Sequence, residues 1–208
     1  MALTGKPRGD RKAFARSAVV CWAGLGVLVC GAIALLVGGW FSGREVVPLP
    51  LPEVSRTNLV RLDGRWCQFC QTNPFTGWMV EHYPSGSLLS RSLVSNGLLN
   101  GVSEGWQTNG QLQICEYFKD SVSHGLRTKW HPNGAKMTES MIADGKHQGT
   151  FRRWHENGAL AEEIEMHDGQ PDGQSRAFYP SGFLKSQATL RLGEVMERKS
   201  WEDGEIKP

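Results

Sequence analysis

A few residues in this chain have types and spacings that could do chemistry. The sharpest are Cys67 and Cys70, in Cys67-Gln-Phe-Cys70. Two cysteines three apart can be a redox couple, half of a zinc site or a small disulfide. Haem attachment needs histidine next, and residue 71 is Gln. A zinc ribbon needs a second such pair, and Cys21, Cys30 and Cys115 do not form one. No βαβ pattern surrounds the pair, as a thioredoxin-like site would require. On the oxidising side of a membrane a structural disulfide leads, ahead of a bland pair of cap residues and, last, a redox or metal role.

Histidine and carboxylate chemistry fare worse. The histidines are His82, His124, His131, His147, His155 and His167. His131 and His155 share a repeat register, described below. Equivalent positions two strands apart lie about 10 Å from each other, whereas metal donors must sit about 2.1 Å from one ion. Glu162, Glu163 and Glu165 crowd one segment, but the Glu162 register holds Ser90, Ile114, Thr138 and Ser186, so no carboxylate ladder forms. There is no nucleophile elbow and no glycine loop for phosphate. The chain therefore reads as a non-enzyme with no catalytic residue, no metal and no cofactor.

The elements that hold these residues begin with charge. The net charge of +2 conceals a split. Residues 1–16 carry five basic groups against Asp10, +5 − 1 = +4, which leaves 2 − 4 = −2 for the rest. No basic stripe suited to a phosphate backbone runs through the body, which argues against nucleic acid as partner. Residues 17–43 contain no charge and are bracketed by Arg16 and Arg44. The apolar core 18–41 would span about 36 Å as a helix, more than the roughly 30 Å hydrocarbon layer. It is too long for a signal-peptide core. The expectation is one transmembrane helix, with the basic tail in the cytoplasm and the C-terminal body outside, as in a bacterial inner membrane. Residues 44–58 hold three prolines and read as a semi-rigid linker. Residues 59–74 read as a cap carrying the cysteine pair.

From residue 75 to 208 a period of 24 takes over. Gly86, Gly110, Gly134, Gly158 and Gly182 keep it, and so do Gly77, Gly101, Gly125, Gly149 and Gly173. Gly97, Ser121, Gly145, Gly169 and Gly193 form a third set. Four residues before the central glycine stand His82, Trp106, Trp130, Trp154 and Phe178. Asn-Gly and Ser-Gly pairs place positive-φ residues at hairpin tips, and glycine at this spacing breaks any helix. The unit is strand, turn, strand, turn, repeated five times with a partial sixth. One hairpin is marginal alone, so stacked neighbours must bury the aromatic and aliphatic registers. The fold class is an all-β body of stacked antiparallel hairpins in one elongated, twisted sheet.

Segments such as GLRTKWHPNGAKMTE (125–139) and GTFRRWHENGALAEE (149–163) resemble the MORN-repeat variant of bacterial proteins labelled YwqK-type antitoxins. The opening PFTGWMVEHYPSG (74–86) is similar to that family's first repeat. The resemblance implies the hairpin fold and an antitoxin-like role. An outward-facing anchored body fits other partners better: a protein first, a cell-wall glycan second. Tyr83, His131, His155 and Tyr179 form the polar-aromatic register expected to line the binding face.

Overall fold

The structure, a computed structural model, describes residues 50–205. The basic tail, the expected transmembrane helix 17–43 and the first part of the linker lie outside the described residues. Among the described residues, no helix is long and apolar enough to cross a membrane.

The chain joins the sheet within the proline-rich stretch. Strand β1 (Glu53–Ser55) runs parallel to β4 (Gly77–His82), with Glu53 opposite Trp78. A 3-10 turn, Arg56–Asn58, follows it. The second half of the expected linker is thus part of the fold. A parallel pair needs a long crossover, and residues 56–76 provide it. Within that crossover β2 (Leu59–Leu62) and β3 (Arg65–Gln68) form a separate two-stranded sheet. This cap closes a small core of Leu59, Phe75 and Val94, with Val54, Trp66, Met79 and Leu99 packed around it.

Beyond the cap the hairpins stack in chain order. They use β5 (Leu88–Ser95), β6 (Leu98–Trp106), β7 (Leu112–Lys119), the short β8 (Val122–Ser123) and β9 (Gly125–Trp130). Then come β10 (Lys136–Ala143), β11 (Lys146–Trp154) and β12 (Leu160–His167). The last are β13 (Gln170–Phe178), β14 (Leu184–Arg191) and β15 (Glu194–Ser200). All lie in one 13-stranded sheet, with β8 paired to β7 off the main path.

The two turns of each repeat differ. At Gly86, Gly110, Gly134, Gly158 and Gly182 only the glycine has positive φ, between +82° and +90°. The N–H of Gly134 donates to His131 O (2.9 Å) and that of His131 to Ala135 O (2.8 Å), and the other four tips repeat this pair. This is a type I turn ending in a left-handed glycine bulge. The asparagine before the glycine was expected to share the positive φ and does not. The other ends are two-residue turns with both residues left-handed, such as Asp144 (+48°) and Gly145 (+81°), which is the type I′ geometry that follows strand twist.

The glycine that opens a repeat permits close packing at Gly77, Gly101, Gly125 and Gly173, whereas the space at Gly149 is open. Gly77 faces Val94 and Gly125 faces Ile142, and Val94 and Ile142 are among the most deeply buried side chains described. A Cβ on Gly77 would run into Pro52 O and the Phe75 ring.

Candidate binding face

Each repeat is stitched to the next at both ends of its hairpin. At the bulged-turn end, side chains reach forward to backbone carbonyls. Tyr83 Oη donates to Trp106 O (2.8 Å) and Tyr179 Oη to Trp201 O (3.1 Å). His131 Nε2 bonds Trp154 O and His155 Nε2 bonds Phe178 O, both at 3.0 Å. A carbonyl only accepts, so both imidazoles carry their proton on Nε2. The register expected to line a binding face therefore commits its polar tips to the neighbouring repeat. Trp106, Trp130, Trp154 and Phe178 are half-buried, and three of the four supply backbone acceptors for these stitches.

The turn asparagines do two jobs. Asn133 Oδ1 accepts from Ala135 N (2.9 Å) while its Nδ2 donates to Glu156 O (2.8 Å) in the next repeat. Asn157 repeats this with Ala159 N (3.0 Å) and Pro180 O (2.7 Å). At the type I′ end the direction reverses. The backbone N–H of Gly145 donates back to Ser123 O (2.8 Å), and that of Gly169 to His147 O (2.9 Å).

The chemical candidates do not converge. Cys67 is buried and Cys70 exposed, and each stands as a thiol. Cys67 Sγ donates to Thr72 O (3.7 Å) and Arg65 O (3.9 Å). No group of three His, Cys, Asp or Glu residues among the described residues is placed to hold a metal. His147 has a buried Nδ1 without a partner, and its ring packs edge-on against Phe151 at 5.8 Å. Burial first, then the charges of Arg127 and Lys129, hold its pKa below 6.5.

Rows that run across the strands matter more. Arg91, Glu104, Cys115, Thr128, Glu139, Arg152, Glu163 and Arg176 are successive register partners. Opposite charges meet along this row. Arg91 lies 3.1 Å from Glu104, and Glu163 is shared by Arg152 (2.9 Å) and Arg176 (2.6 Å). Two residues along each strand, hence on the same face, runs a second row. It includes the register pairs Val102–Tyr117 and Leu126–Met141, then Thr150–Glu165 and Gln174–Thr189. Its first part is apolar and exposed: Tyr117 44%, Leu126 42% and Met141 49%. Its second part is polar. The strip lies on β7, β9 and β10, beside the Cys115, Thr128 and Glu139 stretch of the first row. Sequence reasoning missed it because the row crosses strands, and no linear window brings these residues together.

Shallow indentations recur near the bulged turns. One holds Gln107, Trp130 and Met137, and the next holds His131, Trp154 and Ala161, each residue 24 positions later.

Residues 148–168, one hairpin of the array, match the family model described as MORN repeat variant. No curated protein matches the chain. The matched hairpin shares its turn geometry and its stitches with its neighbours, so the array is a body of stacked hairpins consistent with the MORN type.

Proposed function

We propose that this chain is a membrane-anchored, non-catalytic protein-interaction module whose repeats stand on the outer side of the membrane. The observation that carries the binding role is the exposed strip of Tyr117, Leu126 and Met141 on adjacent strands. Side chains that a repeat array needs for itself turn into its rungs, as Tyr83 and His131 do. Leu126 and Met141 turn outward with Tyr117 exposed beside them, and a contiguous apolar patch bordered by polar groups such as Thr128 and Glu139 is the usual form of a protein contact. The anchor and its orientation rest on the uncharged run 17–43 and the basic tail before it.

Two measurements test this. A photoreactive residue at Leu126 or Met141 should capture a partner that one at Gln174 does not. With that partner purified, Leu126→Glu combined with Met141→Glu should weaken binding at least about tenfold, since central apolar anchors carry most interface energy, with no change in melting temperature. Unchanged affinity would remove the strip from the reading. A C-terminal tag should be cleaved by protease in intact spheroplasts, and protection until lysis would favour an antitoxin-like inhibitor instead.

The recurring indentations favour a second reading, a cell-wall glycan lying along the array. Retention on purified wall polysaccharide, lost in Trp130→Ala and Trp154→Ala variants that remain folded, would select it.

A further inference from the structure

We infer that the cap is a lipid-contacting foot, in which Phe69 enters the interface of the membrane that holds the chain. The inference rests on the anchored reading above and adds to it a contact with lipid by the folded unit itself. Phe69 is 69% exposed, more than any other large apolar side chain among the described residues. The cap has no need of it, because Leu59, Phe75 and Val94 close the core beneath. Yet its position is firmly built. Phe69 N–H donates to Asn58 O and Gln71 N–H to Gln68 O, both at 2.9 Å. Cys70 holds φ at +66°, a left-handed conformation that costs a residue with a Cβ. A tight, held turn thus presents an aromatic ring to solvent.

Its neighbours show what it faces. The ring borders a shallow depression with Val54, Thr57 and Asn58. Val54 lies close in sequence to Pro50, where the described residues begin. Residues 44–49 alone separate Pro50 from the end of the uncharged run at Gly43. Six residues reach about 20 Å when fully extended.

Charge separates the cap from the repeats. Residues 50–76 carry Arg56, Arg61 and Arg65 against Glu53 and Asp63, 3 − 2 = +1. Residues 77–208 carry 14 basic and 17 acidic groups, 14 − 17 = −3. Arg56 is paired with Glu81 (3.7 Å), which leaves the cap close to neutral, so an anionic bilayer repels the repeats more than the cap. One aromatic ring is a weak anchor by itself. On a tethered chain the contact is intramolecular, and a weak one suffices because its effective concentration is high.

The test uses the full chain in vesicles of phosphatidylcholine and phosphatidylglycerol. Cys70 sits beside Phe69 and reports on its surroundings. After reduction, its alkylation by a charged, water-soluble reagent is followed by peptide mass spectrometry. A Ser85→Cys variant, at an exposed turn, supplies the reference rate. Cys70 should react at least about tenfold more slowly than the reference, because a thiol's reactivity falls with loss of access. Phe69→Glu should bring Cys70 to within about twofold of it at unchanged melting temperature, since that ring supports no core. Equal rates at Cys70 and the reference in the unaltered chain overturn the foot and leave the anchor standing. Release of the chain by an alkaline carbonate wash overturns both.

Discussion

At the scale of single residues, the turn asparagines carry more than their dihedral preference. Asn157 holds its own turn through Oδ1 and the next repeat through Nδ2. Asn157→Ala removes both bonds and should cost about 1–3 kcal/mol in chemical denaturation. Asn157→Asp keeps the acceptor alone and should lose less. Equal losses would mean that the Oδ1 bond contributes nothing, and no loss in Asn157→Asp would mean that the Nδ2 stitch contributes nothing. His147 makes a second prediction, in pH. Its folded pKa lies below 6.5, so below pH 6.5 the unfolded chain takes up a proton that the fold resists. Stability should fall as pH drops from about 6.5 towards that lowered value, and be independent of this group well above pH 6.5. His147→Leu should flatten that part of the profile, and a variant with the wild-type acid slope would show that other groups govern it. The identity of these rung residues was legible from the period, but their direction was not. An imidazole or phenol at a given register serves an outward ligand or an inward carbonyl equally well.

At the scale of elements, the hairpins were legible because glycine kept three registers at one spacing. The turn type was less so, since Asn-Gly signals a two-residue turn as readily as a bulged one. The deciding contact, His131 N–H to Ala135 O, lies in the backbone. Strand β1 was not legible at all. It is three residues long, outside the period and preceded by prolines. The exposed strip was hidden for a related reason, since it exists only where strands lie side by side. One turn breaks its own rule. Leu192 occupies a left-handed position, φ +50°, where the other type I′ turns have Asp or Asn, and it is 68% exposed. Leu192→Asp should raise stability by up to about 1 kcal/mol, by relief of left-handed strain in a residue with few packing contacts to lose. A lower denaturation midpoint would show that Leu192 packs usefully.

At the scale of the described unit, the array is nearly one-dimensional. From β5 onward each strand of the main path pairs with the next in chain order, the short β8 aside, and the stitches at each tip join adjacent repeats. Excision of residues 134–157, one full period from glycine to glycine, joins Asn133 to Gly158 and keeps every motif intact. The shortened chain should fold cooperatively with a lower midpoint, as nearest-neighbour arrays do. Loss of all cooperative unfolding would show coupling beyond adjacent repeats. The cap is what the array cannot lose in this way, because β2 and β3 close the end of the sheet where β1 stands.

The two stitches tie each hairpin only to the one before it and the one after it, so the array suits assembly in chain order. A ribosome delivers the N-terminus first. Each newly emerged type I′ turn finds a carbonyl already waiting behind it, as Gly169 finds His147 O. Each earlier tip holds out a donor to the segment still to come, as Asn133 does to Glu156 O. Translation and folding can therefore advance hairpin by hairpin in the same direction, with the growing end always the one left open.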